Sequence, residues 1–348
     1  MKKVIFLVIL IFLALEFFIR FYDCIKGVTV HTHNNLALVY IPNAYFNYTF
    51  RPNTKVAYNL KRPQRININS LGFRGKSFSV SKKDKYRIFC LGESSTIGYA
   101  ESDDGHTWPA QLEKLLQKRF PERNIEVVNA GGWGYTTYEL LPKYLFQISS
   151  YDPDLIIVYL TINDAGLIGY ISREKDISKL RGHLHRNVLQ RFFSNSAVYS
   201  ILIGKLIRLP IFAKPNAANP ENIDFGLNNF ERNLDILVLA AKRDGVKIVL
   251  CTQILWLDKI ANKFGATQED RQAFKGALIK CEQIIRRVAL RHDILLVDNA
   301  NILGEDKNKY MADIVHLNDA GAKLLAGNIF QCIIKEEKEL LNNSLISK

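Results

Sequence analysis

Arg87-Ile88-Phe89-Cys90-Leu91-Gly92-Glu93-Ser94-Ser95-Thr96 is the stretch on which the fold turns: an apolar run of strand length meets a glycine, a carboxylate and a row of hydroxyls suited to a helix start. The same change of pattern recurs down the chain. Strands are expected at Arg87 to Leu91, Glu126 to Asn129, Leu155 to Leu160, Lys247 to Thr252 and Ile294 to Val297. Amphipathic helices are expected at about 108–119, 136–149, 227–243, 268–291 and 318–337, with Asn318 as an N-cap and Gly245 as a stop. Five strands alternating with helices imply an α/β fold whose mostly parallel sheet is covered on both faces. Ligands on such sheets bind at the carboxyl ends of the strands.

The chemistry-bearing residues fall at those ends. Ser94 follows the first strand, where its hydroxyl can project from the sheet rim, although a serine in such a place more often only caps a helix. Asn129-Ala130-Gly131-Gly132-Trp133-Gly134-Tyr135-Thr136 follows the second; a backbone NH at Gly134 could approach a substrate oxygen closely, or the glycine could serve a plain turn. Thr161-Ile162-Asn163-Asp164 follows the third, and the Asn163 amide offers a further donor where turn chemistry would also explain an Asn-Asp pair.

Asp313 and His316 stand just before the last helix. Their spacing lets a local turn bring the carboxylate to one imidazole nitrogen and leave the other for Ser94, whereas an Asp-x-x-His standing alone reads first as a pair of solvated side chains. Together the four blocks supply a nucleophile, a base with its orienting carboxylate, and oxyanion donors. Gly92 and Gly98 are not followed by Lys-Ser or Lys-Thr, which weakens a nucleotide-loop reading.

Working outward, the chain opens Met1-Lys2-Lys3 and continues apolar from Val4 to Ile19, interrupted by Glu16 and closed by Arg20. The segment is a secretory signal, a membrane anchor or a buried amphipathic helix. Large side chains rather than cleavable small ones follow it, so residues 1–26 read best as a retained transmembrane anchor. Lys2 and Lys3, against Arg20 and Lys26 on the other flank, put the N-terminus inside and the remainder outside the cytoplasm. Residues 27–85 form an extended lead-in with a few strands, ending near the turn at Leu71-Gly72-Phe73-Arg74-Gly75. The hydrolytic domain is expected over 86–338, followed by a polar tail at 339–348.

An insertion at about 165–226 carries Arg173, Lys175, Lys179, Arg181, Arg186, Arg191, Lys205, Arg208 and Lys214, and reads either as a basic cap over the pocket or as a solvated face. Trp133, Tyr135 and Trp256 are candidates for a substrate groove or for core packing.

The 348 residues carry a formal net charge of +13, but no recognition motif accompanies it, so nucleic acid is not an expected partner. The five cysteines, Cys24, Cys90, Cys251, Cys281 and Cys332, show neither metal spacing nor a disulfide framework. No metal or other cofactor is expected, since His183-Leu184-His185 has no evident third ligand.

Over about residues 86–335 these blocks resemble the SGNH hydrolases, the GDSL esterases and lipases, in Gly-x-Ser at 92–94, the Asn129 to Gly134 spacing with Thr136 after it, Asn163-Asp164 and Asp313-x-x-His316. Trp108-Pro109 fits the resemblance too, and Asn69-Ser70-Leu71-Gly72-Phe73-Arg74-Gly75 is similar to the lead-in of membrane-anchored bacterial members. The resemblance implies a flavodoxin-like three-layer α/β/α sandwich, with Ser94 as nucleophile, His316 as base and Asp313 as its orienter. The Ser94 NH, Gly134 and Asn163 would form the oxyanion hole.

Three positions depart from the pattern: Glu93 for the usual Asp, Thr161 for Gly, and Leu317 for the Pro that more usually follows the histidine. The implied activity is ester hydrolysis through an acyl-enzyme, of carboxylesterase or carbohydrate O-deacetylase type, on a small-molecule or glycan ester. An O-acyltransferase acting on an envelope glycan, or a glycan-binding protein whose site Glu93 and Thr161 spoil, are the alternatives.

Overall fold

The structure is a computed structural model that describes residues 2–25, 30–31, 39–58, 64–171, 196, 198, 221–262, 268–304, 306–336 and 341. The basic residues and the His183 and His185 pair of the insertion lie outside these, as does the polar tail apart from Leu341. Two compact units are formed, Met1–Ser77 with Leu180–Asn216, and Phe78–Lys179 with Ala217–Lys348.

In the first unit, helix α1 spans Lys2–Ile25. Its Lys2–Tyr22 stretch is the one helix among the described residues long and apolar enough to cross a membrane. Glu16, the acid within that run, would be costly there without partners. Its carboxylate accepts the Arg20 Nε at 2.7 Å, the Ser196 hydroxyl at 2.9 Å and the Val198 NH at 3.0 Å.

Among its described residues the lead-in holds five strands, β1 (Val30–His31), β2 (Tyr40–Asn43), β3 (Asn47–Phe50), β4 (Thr54–Tyr58) and β5 (Gln64–Ile68). They form a β2–β3 hairpin and a β1–β4–β5 sheet. The turn beyond β5 is organised by Asn69, whose side-chain oxygen accepts the amides of Leu71 at 2.9 Å and Phe73 at 3.1 Å, while Gly72 takes φ +82°.

The second unit alternates strands and helices: β6 (Tyr86–Gly92), α2 (Ser94–Ile97), α3 (Trp108–Arg119), β7 (Ile125–Asn129), α4 (Thr137–Lys143), β8 (Leu155–Tyr159) and α5 (Ile162–Ile171) come first. Then follow α6 (Glu221–Arg243), β9 (Lys247–Cys251), α7 (Gln268–Arg291), β10 (Leu296–Val297), α8 (Lys307–Tyr310) and α9 (Asp319–Lys335). The sheet is parallel throughout in the order β10-β9-β8-β6-β7. Counted from β6, that is the flavodoxin-like order, and the direction of winding reverses between β6 and β8.

Every residue of β6 and β8 is buried, as expected for strands covered on both faces. Strand alternation divides their side chains: Ile88, Cys90, Leu155 and Ile157 pack with Trp108, Leu112 and Leu116 of α3 and Leu325 and Ile329 of α9. Helices α4 to α7 pack on one another and include the partner of β9 on the other layer. Cys90, Cys251 and Cys281 are buried free thiols, Cys332 is half-buried and Cys24 is exposed.

Departures from the expected elements have local causes. The strand expected from Ile294 begins only at Leu296, because the Ile294 amide donates back to the Ala289 carbonyl at 3.1 Å just past the end of α7. The helix expected over 136–149 is regular only to Lys143; Pro142 lacks an amide donor, and the chain continues as a wider π turn over Tyr144–Ile148. Residues from 165 onward, read as the start of an insertion, continue α5 as far as Ile171. Asn318 caps α9, its side chain accepting the Gly321 amide at 3.0 Å, and Gly245 stops α6 with φ +73°.

Candidate active site

At the carboxyl end of β6, Gly92 leaves no room for a side chain: a Cβ there would collide with Thr96 and with the Tyr159 carbonyl of the neighbouring strand. The backbone can therefore turn tightly against β8 and deliver Ser94 as the first residue of the one-turn helix α2. Asn129, at the end of β7, donates to the carbonyls of Thr96 at 2.8 Å and Ile97 at 3.3 Å, which closes that short helix from its far end.

The Ser94 hydroxyl lies 2.9 Å from Nε2 of His316. On the opposite edge of the ring, Nδ1 lies 2.8 Å and 2.9 Å from the two carboxylate oxygens of Asp313. Asp313 Oδ1 also accepts the backbone amides of Val315 and His316, each at 3.0 Å, so one carboxylate shapes the turn and orients the imidazole it carries. Both side chains retain some access to solvent, 14% for His316 and 19% for Asp313. Proton transfer from Ser94 to His316 requires no rearrangement in this geometry.

Hydrogen bonds tie the second and third blocks to the first: the Gly132 amide donates to the Gly92 carbonyl at 3.0 Å, and the Asn163 amide to the Glu93 carboxylate at 2.9 Å. Ser94 is the first helical residue, so its NH belongs to the group that a helix leaves without an internal acceptor. Gly134 adopts φ +75°, a conformation that favours glycine. Asn163 donates one side-chain N–H to the carbonyl of Tyr135, the next residue, at 3.0 Å, which fixes the amide and leaves its second N–H for another acceptor.

Glu93 does not crowd the nucleophile. Fully buried, its carboxylate accepts the amides of Thr161 at 3.1 Å, Ile162 at 3.1 Å and Asn163 at 2.9 Å, the start of α5. Burial pushes this carboxyl up to about 7, against the pull of those three amides and Gln253. Thr161 is also fully buried, with its hydroxyl turned back to the Leu160 carbonyl rather than into open space.

Several participants carry no local signal in the sequence. Gln253, beyond β9, accepts the Ile162 amide at 2.9 Å and donates to the Ser95 hydroxyl at 3.1 Å, which in turn reaches the Val315 carbonyl at 3.2 Å. The Tyr99 ring stacks on the His316 imidazole. Of the three aromatic candidates, Trp133 and Tyr135 are core residues, only 3% and 0% exposed. Trp256 is half-buried, with the Lys259 ammonium 3.6 Å over its ring and its own amide on the Ile314 carbonyl at 2.8 Å. Among the described residues no group of three or more His, Cys, Asp or Glu is placed to hold a metal ion.

The chain matches the GDSL-like Lipase/Acylhydrolase family over residues 90–324, more than half its length. It is 24% identical over 265 residues to an acetylxylan esterase of Xylanibacter ruminicola, a match that covers 74% of this chain but 45% of that protein. Among solved structures it is similar to LAE5, an α/β hydrolase from the metagenome of Lake Arreo, with 20% identity and a TM-score of 0.45, covering 71% of this chain and 94% of that one. It is also similar to Axe2, an acetylxylan esterase from Geobacillus stearothermophilus, with 18% identity and a TM-score of 0.44, covering 74% of this chain and 96% of that one.

Proposed function

This chain belongs to the GDSL-like Lipase/Acylhydrolase family, and on that premise we propose that it is a serine ester hydrolase that works through an acyl-enzyme. The observation that carries the reading is the Ser94 hydroxyl 2.9 Å from His316 Nε2, with Asp313 2.8 Å from the other ring nitrogen. Ser94 attacks the ester carbonyl while His316 takes its proton; the tetrahedral oxyanion is held by the Ser94 and Gly134 amides and by Asn163. His316 then returns the proton to the leaving alcohol, and a water activated by the same imidazole releases the acid.

Acetyl esters of carbohydrate are the proposed substrate class, which the likeness to an acetylxylan esterase supports. Helix α1 is proposed to anchor the protein in a membrane, with Lys2 and Lys3 holding the N-terminus inside and the hydrolase domain, about residues 86–338, outside the cytoplasm. The positions of Glu93 and Thr161, directed away from open space, favour catalysis over a site reduced to binding.

The test is labelling by a fluorophosphonate probe together with hydrolysis of a short-chain acetyl ester, in the wild type and in Ser94→Ala. Labelling and turnover confined to the wild type are expected, and a folded wild type that neither labels nor hydrolyses any acyl ester would overturn the assignment. Comparing release of free acid with transfer of the acyl group to an added sugar separates a hydrolase from an acyltransferase.

A further inference from the structure

The imidazole of His316 is held at both edges, by Ser94 and by Asp313, and one of its faces is covered as well: the Tyr99 ring lies over it with centroids 4.2 Å apart and planes at 29°. We infer that Tyr99 is a positioning residue for His316, acting through its ring, in the acyl-transfer reaction proposed above, on which this inference rests.

The chain is built to bring residue 99 back to the site. The Gly98 amide closes the single turn of helix α2 on the Ser94 carbonyl at 3.0 Å, and the helix ends there because Gly98 itself takes φ +90°. The chain thus leaves its helical path immediately after the nucleophile's own helix, and the next side chain, Tyr99, meets the histidine. Beyond it, the Ser102 amide and hydroxyl both donate to the carboxylate of Asp319, at 2.8 Å and 2.7 Å, and Asp319 opens α9 three residues after His316. On the other side of Tyr99, the Ser95 hydroxyl reaches the Val315 carbonyl at 3.2 Å. The segment 95–102 is therefore fastened to the segment 315–319 on both sides of the stacked pair.

Two consequences follow from this geometry. A ring on one face prevents the imidazole from swinging out of line between taking the proton from Ser94 and returning it to the leaving alcohol, and misplacement of a reacting group by about 1 Å costs on the order of 100-fold in rate. The electron-rich face of the phenol also lies against the positive charge that His316 acquires in the transition state. The phenolic hydroxyl takes no part in either effect.

The experiment measures kcat and KM on an acetyl ester for the full chain in detergent as wild type, Tyr99→Leu and Tyr99→Phe, with melting temperature as the folding control. Tyr99→Leu is expected to lower kcat by about 10- to 100-fold with KM changed by no more than about twofold. Tyr99→Phe is expected to restore turnover to within about threefold of wild type, because it keeps the ring. Full turnover in a folded Tyr99→Leu, or a loss in Tyr99→Phe as large as in Tyr99→Leu, would overturn this inference and leave the esterase reading standing. A folded wild type as inert as Ser94→Ala would overturn both.

Discussion

The carboxylate of Glu93 accepts the backbone amide of Asn163 at 2.9 Å. The residue immediately before the proposed nucleophile thereby holds the residue proposed as the third oxyanion donor, across a gap of 70 positions in the chain. Glu93 also takes the amides of Thr161 and Ile162, so one side chain receives the donors that the start of α5 cannot satisfy within the helix. The extra methylene relative to aspartate is spent in reaching those amides, not in filling the cleft.

Glu93→Gln tests that coupling. The amide keeps the volume and one carbonyl acceptor but turns an NH2 group towards backbone donors, leaving a buried N–H without its acceptor. The expected result is a fall in kcat of about 10-fold or more with KM little changed, as for any change that displaces an oxyanion donor rather than the ground-state binding site. Steady-state kinetics on an acetyl ester would decide it; wild-type turnover would show that the Glu93 anchorage is dispensable.

Asp313→Asn separates orientation from turn formation. An asparagine oxygen can still accept the amides of Val315 and His316, which Asp313 Oδ1 receives at 3.0 Å, so the turn should survive. What is lost is the negative charge beside Nδ1 that selects the tautomer and supports the imidazolium, and the expected cost is about 10³- to 10⁴-fold in kcat. Differential scanning fluorimetry should show a melting temperature close to wild type, and a rate loss of only a few-fold would mean that His316 is oriented by something else.

Much of this was legible from the residues themselves. Strands β6 and β8 are buried on both faces, so their sequences read as continuous apolar runs, and the reactive groups follow them at the ends where the winding of the sheet reverses. Asp313 and His316 meet through a local turn, which spacing alone suggests. Long-range partners are what the sequence conceals. Nothing near Glu93 announces acceptors for residues 161 to 163, and nothing near Tyr99 announces a histidine 4.2 Å away. Helix α5 was hidden for the same reason: its opening amides are capped by Glu93 and Gln253 from elsewhere in the chain. The aromatic pair Trp133 and Tyr135 was ambiguous because burial, not residue type, separates a groove lining from a core.

The buried carboxyl of Asp164 makes stability depend on pH in a definite direction. It accepts the Thr137 hydroxyl at 2.7 Å and the Thr137 amide at 3.0 Å and 3.1 Å, tying α5 to the start of α4. Burial nevertheless dominates and pushes it up to about 8, with Glu93 and Glu139 nearby adding to the rise and the Thr137 bonds opposing it. A group whose folded-state pKa is raised binds its proton more tightly when folded, so its contribution is complete below the unfolded carboxyl value of about 4 and is lost as pH rises through about 8. Glu93 titrates in the same sense, up to about 7, whereas burial lowers Lys143 to about 7 and gives the opposite slope above it. Lys143 is common to wild type and variant, so comparison with Asp164→Asn isolates the acid. Chemical denaturation at about pH 5 and about pH 9 should show the wild type losing up to a few kcal/mol more than Asp164→Asn, with some slope left in the variant from Glu93. Equal losses in the two proteins would mean that Asp164 is ionised in the folded state throughout this range.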